Sequence, residues 1–111
     1  MDQTLLTVRY AIGGDPARLR SDMEKAAAAI AGVPGLAFKI WGFDAENRAG
    51  TSAYLFTTEA AARAFAAGPM IAGLRANPDV VEVAVAVAPV DRDLSAVTGA
   101  GAILATPAIA A

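Results

Sequence analysis

A chain of 111 residues is long enough to bury one hydrophobic core and too short for two. Hydrophobic residues make up 56% and charged ones 18%, below the roughly 25% charge of an ordinary soluble domain, so much apolar surface must be hidden. The net charge of -2 supplies no basic stripe for phosphates, which argues against nucleic acid as a partner.

The first strand runs from Thr4 to Ile12, rich in Leu, Val, Thr and Tyr, and breaks at Gly13-Gly14. A helix follows, with Asp15 as its cap, Pro16 at its first position and Leu19, Met23, Ala26, Ala27 and Ile30 on one stripe. It stops near Gly32, because Pro34 and Gly35 disfavour continuation. Leu36 to Phe43 reads as a second strand, Asp44 to Arg48 as a polar connection, and Ala49 to Thr57 as a third strand pairing antiparallel with the second. Thr58 caps a second helix, with Glu59 in its first turn, that runs through Phe65 to Gly68. A short helical piece spans Pro69 to Ala76, Asn77-Pro78-Asp79 turns the chain, and Val80 to Ala88 is the most β-prone stretch, ended by Pro89.

The order β-α-β-β-α-β is the ferredoxin-like pattern, an α+β class in which helices cover one face of a four-stranded antiparallel sheet. Residues 1–93 hold this domain and residues 94–111 form an extension. The other face of such a sheet turns polar when water touches it. Here both faces read as dry. The last strand offers Val81, Val83, Val85 and Val87 on one side and Val80, Ala84, Ala86 and Ala88 on the other, with Glu82 its one charge. The second strand sets Leu36, Phe38 and Ile40 against Ala37, Lys39, Trp41 and Phe43. A homodimer burying about 800 Å² per partner accounts for the second dry face, with the uncharged extension as the competing cover.

Membrane insertion is not expected, since Gly99, Gly101 and Pro107 interrupt a weakly apolar tail. Met1-Asp2-Gln3-Thr4 lacks the basic start and apolar run of a signal peptide. With no cysteine, redox chemistry gives secretion no support, and the cytoplasm is the simplest location.

There is no histidine either. This removes an imidazole base, a histidine-ligated metal or haem and a serine-histidine triad. Gly13-Gly14-Asp15 lacks the spacing of a nucleotide loop, and Glu24, Glu46, Glu59 and Glu82 fall on separate elements, so no cofactor or metal is expected. What remains are polar or aromatic residues within apolar strands: Thr7, Arg9, Tyr10, Lys39, Trp41, Ser52, Tyr54 and Glu82. Arg9 and Glu82 lie on neighbouring strands and are expected to pair, with Lys39 reaching toward them. As a site, Arg9 or Lys39 would stabilise an anion and Tyr54 or Tyr10 would hydrogen-bond its oxygen. Trp41 reads as core filler or, in such a site, as a wall for an aromatic ring; Phe38 and Phe65 would add apolar contact, and Glu82 would bind substrate or move a proton.

The run Pro34-Gly35-Leu36-Ala37-Phe38-Lys39-Ile40-Trp41, then Glu46, Ala49-Gly50 and Tyr54-Leu55-Phe56, resembles the signature of the YdhR-like monooxygenase family, as does Leu94-Ser95-Ala96-Val97-Thr98 near the end. The sequence departs from that pattern at Thr51-Ser52, where the family often has another glycine, in its alanine-rich second helix and in its longer tail. The resemblance implies a dimeric α+β barrel with a pocket between sheet and helices. It implies a cofactor-independent monooxygenase acting with dioxygen on a small aromatic or polyketide-like substrate. A cyclase or isomerase using the same pocket, or a non-catalytic ligand-binding dimer, remains open.

Overall fold

The computed structural model describes residues 3–105; the readings of Met1 and Asp2 and of the tail's last stretch, 106–111, fall outside them. The chain forms β1 (Thr4–Ile12), α1 (Pro16–Ala31), β2 (Leu36–Asp44), β3 (Ala49–Phe56), α2 (Glu59–Ala66), α3 (Pro69–Ala76) and β4 (Val80–Pro89), then α4 (Arg92–Val97) and α5 (Gly101–Leu104). All strand pairs are antiparallel, in the order β2-β3-β1-β4, which is the ferredoxin-like α+β arrangement.

The helix starts follow from local chemistry. The Asp15 carboxylate accepts from the Ala17 and Arg18 amides at 2.9 and 3.3 Å, with Pro16 beside it, satisfying donors that have no partner within the helix. Thr58 caps α2 by accepting from the Ala61 amide at 3.1 Å. Glu59 and Arg63, one turn apart, form an ion pair at 2.7 Å.

The Gly13-Gly14 turn is held from two sides. Buried Asp79 accepts from the Asp15 amide at 2.9 Å and takes a two-pronged bond from Arg18 at 2.8 and 2.6 Å. A Cβ on Gly14 would collide with that carboxylate. From the other side the Arg48 guanidinium donates to the carbonyls of Ile12 and Gly14. This is a structural clamp between the start of α1 and the start of β4.

On β1 the side chains alternate strictly: Leu6, Val8, Tyr10 and Ile12 are buried beneath the helices, and Leu5, Thr7, Arg9 and Ala11 face the other way. Leu19 and Ile30 of α1, Phe65 of α2 and Ile71 of α3 close the core over them. The alternation expected for β4 and β2 fails at one place in each. In β4 the partners of Arg9 and Ala11 are Ala84 and Val81, so β4 carries one extra residue, and Glu82 absorbs it at φ 56°. That bulge places Val80 under the helices with Ile12 and leaves Val81 on the open face. In β2, Leu36 pairs with Phe56 but Phe38 with Leu55. Ala37 is therefore the extra residue, so Leu36 joins Lys39 and Trp41 on the helix face while Phe38 and Ile40 lie on the open one.

The expected Arg9–Glu82 pair does not form among the described residues. Both side chains are exposed, and the bulge takes Glu82 out of register with Arg9. Lys39 points away from both, beneath the helices.

The open face leaves Leu5, Ile40 and Val81 at 40%, 56% and 45% exposure. The extension covers one corner of it: Leu104 packs on Ala37 and Leu55, fastened by Gln3 Nε2 donating to the Leu104 carbonyl at 2.6 Å. Leu94 and Val97 of α4 stay exposed. Among the described residues no helix is long and apolar enough to cross a membrane.

Candidate active site

Between the sheet and the helices lies an apolar cavity of about 260 Å³. Its floor comes from three strands: Val8 and Tyr10 of β1, Ser52 and Tyr54 of β3, Lys39 and Trp41 of β2. Antiparallel register brings these together. Tyr10 lies opposite Gly50, Tyr54 opposite both Leu6 and Lys39, and Ser52 opposite both Val8 and Trp41. The roof is the apolar stripe of α1 with Phe65 of α2 and the Met70, Ile71 and Leu74 face of α3.

Each polar group has a physical anchor. Gly50 is required by Tyr10: a Cβ there would overlap the phenol ring, which instead lies flat on the glycine and sends its hydroxyl toward Met23 Sδ at 3.5 Å. Tyr54 is held in an aromatic cluster, its ring centroid 5.0 Å from Phe65 and 6.2 Å from Phe56. The Lys39 ammonium nitrogen sits 3.2 Å from the centroid of the Trp41 ring and 4.6 Å from that of Tyr54, an arrangement in which π faces stand where a counter-ion usually does.

Burial sets the acid–base character of these groups. It pulls Lys39 down from 10.5 to about 7, because an ammonium loses water there. Burial also pushes Tyr54 up, helped by neighbouring Tyr10, and pushes Tyr10 up. Both phenols therefore hold their protons at neutral pH and act as donors. Asp22 and Asn77 line the cavity too, and Asn77 Nδ2 donates to Asp22 Oδ2 at 3.3 Å. Trp41, 38% exposed, separates the cavity from an outer cleft lined by Arg20, Glu24 and Phe43.

Of the eight residues given a site role from sequence, five meet here: Lys39, Tyr54, Tyr10, Trp41 and Phe65. The other three are elsewhere. Arg9 and Phe38 face the open side of the sheet, Phe38 packing beside Ala37 and Leu55, and Glu82 sits exposed at its bulge. The residues without an expected role are Ser52, Met23, Ala26 and the α3 face. Ser52 carried a signal, a hydroxyl inside an apolar strand. Met70 and Leu74 carried another, helical spacing on a short piece.

Several solved structures share this architecture. SnoaB, a cofactor-independent oxygenase from Streptomyces nogalater, is 20% identical over 79% of this chain and 92% of its own, with a TM-score of 0.64. The monooxygenase from ActVA-Orf6 of Streptomyces coelicolor, solved with Nanaomycin D, is 17% identical over 80% and 88%, TM-score 0.61. The haem-degrader MhuD of Mycobacterium tuberculosis, solved with two haems in its active site, is 19% identical over 79% and 95%, TM-score 0.62. At such identities the likeness is one of fold. A histidine-ligated haem finds no such ligand in this chain, which has no histidine. No curated protein matches by sequence. A family profile does, described as "Putative mono-oxygenase ydhR" and matching residues 5–101. That span takes in nearly all of β1 and every element from α1 to α4, so the chain belongs to the ydhR mono-oxygenase family.

Proposed function

We propose that the protein is a cytoplasmic, homodimeric, cofactor-independent monooxygenase acting on a small aromatic or polyketide-like substrate. The observation that carries this reading is the convergence of Lys39, Trp41, Tyr54 and Tyr10 on one apolar cavity. In such chemistry an electron-rich substrate anion reduces dioxygen itself. One oxygen atom enters the substrate and the other leaves as water, with both electron pairs drawn from the substrate. The protein has to hold the anion, orient the ring and keep water out. Lys39 supplies positive charge beside the substrate oxygen, and the Tyr54 and Tyr10 hydroxyls donate to it. Trp41 and Phe65 wall the ring. The homodimer is supported by the apolar open face of the sheet.

Oxygen uptake with a panel of anthrones and quinols tests the reading. Consumption of dioxygen in step with product, lost in Lys39→Met and Trp41→Ala, is the expected result. Product formed under strict anaerobiosis would transfer the site to a cyclase or isomerase. Such an enzyme would not use Glu82 of the same subunit as its proton carrier, because that residue does not line the cavity. Tight ligand binding by thermal shift without turnover would leave a binding protein.

A further inference from the structure

We propose that Lys39 is the proton acceptor of this cavity, taking the proton of an acidic hydroxyl on a one- or two-ring aromatic and holding the resulting anion beside the Trp41 and Tyr54 rings. The proposal rests on reading the cavity as the substrate site, and it concerns a step that precedes any oxygen chemistry.

Its first support is placement. Among the described residues, ion pairs join Arg18 to Asp79, Arg20 to Glu24 and Arg63 to Glu59; none engages Lys39. Its nitrogen lies instead against two aromatic faces inside an apolar cavity. A half-buried amine that has lost water and has no carboxylate beside it gives up its proton more readily than a solvated one, and the two π faces hold the ammonium that proton uptake creates.

The second support is the inventory of groups around it. β1 and β3 contribute Tyr10 and Tyr54, which burial keeps protonated. α1 contributes Asp22, exposed and hydrogen-bonded to Asn77, and beyond Trp41 the Arg20–Glu24 pair of the outer cleft. α2 and α3 line the cavity with Phe65, Pro69, Met70, Ile71, Gly73 and Leu74, none of which titrates. Asp22 is exposed and bonded to Asn77, whereas Lys39 is half-buried against apolar and aromatic side chains, and its lowered pKa of about 7 keeps a large neutral fraction available.

The step is a proton transfer alone. The O–H bond of the aromatic breaks, an N–H bond forms on Lys39, and no electrons change hands. A neutral pair becomes an ion pair of zero net charge, which a dry cavity tolerates better than a lone anion. Size sets the other limit. At about 260 Å³ the space falls below the roughly 300–1,000 Å³ of drug-sized sites, which favours one- and two-ring aromatics.

A base and a fixed cation make different predictions, and arginine separates them because it stays charged. The probes are 4-cyanophenol and its methyl ether 4-cyanoanisole, which has the same ring and no proton to give. Ultraviolet absorbance distinguishes bound phenol from phenolate, and calorimetry in two buffers counts protons released, slightly above neutral pH. Wild type is expected to bind the phenol as phenolate with almost no proton released, since Lys39 keeps it. Lys39→Arg is expected to bind phenolate while releasing about one proton per ligand. Lys39→Met is expected to bind the phenol at least about tenfold more weakly, as neutral phenol, with cyanoanisole binding unchanged as proof that the cavity is intact.

The proposal is overturned if wild type binds neither probe, binds the phenol in neutral form, or binds the ether as tightly. A phenolate spectrum that persists in Lys39→Met also overturns it. Because these measurements need no dioxygen, phenolate binding together with no oxygen uptake from any anthrone or quinol of the panel would sink the oxygenase reading and leave this one standing; uptake with product, unaltered in Lys39→Met, would sink this one.

Discussion

The two faces of the sheet are built from the same residue types and differ in what covers them. Leu6 and Leu5 are neighbours on β1, yet Leu6 is fully buried and Leu5 is 40% exposed. Both faces carry a cation, and the consequence differs again. Arg9 projects from the open face, while Lys39 lies in the cavity with its pKa brought down to about 7. Charge in an apolar strand thus says nothing about chemistry until the covering layer is known. Under the helices burial lowers the pKa of the Lys39 amine; on the open face Arg9 is exposed in the single chain.

The largest test of this contrast is the leucine pair. Leu6→Ala is expected to cost about 2–5 kcal/mol in urea unfolding, against less than about 1 kcal/mol for Leu5→Ala in the monomer. Equal losses would mean the faces are equally covered within one chain. Next, Ile40→Asp on the open face should weaken self-association by at least about 100-fold, since a dimer would have to bury an unpaired carboxylate. Sedimentation should show a monomer with an unchanged circular dichroism spectrum. A dimer that survives the charge would remove this face from the interface.

Gly50→Ala is aimed at the covered face. Forcing a methyl into the Tyr10 ring is expected to cost about 1–3 kcal/mol and to weaken binding of aromatic probes by displacing the phenol from the cavity floor. Wild-type stability and probe affinity in this variant would show that Tyr10 has room to move.

The smallest effect is a pH dependence. Lys39 takes its proton near 10.5 when unfolded and near 7 in the fold, so between those values the unfolded chain binds more protons and stability rises with pH. The burial cost is fully present below pH 7 and gone above 10.5. Lys39→Met removes it. The variant is therefore expected to exceed wild type in stability by most below pH 7, and the difference should shrink as pH rises toward 10.5. A difference independent of pH would place the ammonium in water.

Much of the fold was legible because its signals are local. Apolar alternation, the Asp15 and Thr58 caps and the breaks at Gly13-Gly14 and Asn77-Pro78-Asp79 each act over a few residues. Four of the five cavity residues, Lys39, Tyr54, Tyr10 and Trp41, were legible in part as polar or aromatic side chains in apolar strands; Phe65 is on α2. Phe38 and Glu82 were assigned to the site for their side-chain chemistry, although alternation already set Phe38 against Lys39 and Trp41; neither lines the cavity. The extra residues at Ala37 and Glu82 exist only by reference to the partner strand, and nothing in VVEVAV announces one. Arg9 is a different case: β1 is regular, so Arg9 and adjacent Tyr10 must oppose each other. Only the helices decide which of them enters the cavity.

By itself, then, the sequence determined the order of elements, their caps and the want of any imidazole or thiol, because those depend on residue identity and short-range geometry. The tertiary structure decided which side chains share the cavity and lowered the pKa of Lys39 to about 7. Pairing register, bulges and desolvation arise between segments far apart in the chain, and a dry environment is a property of what surrounds a residue rather than of the residue itself.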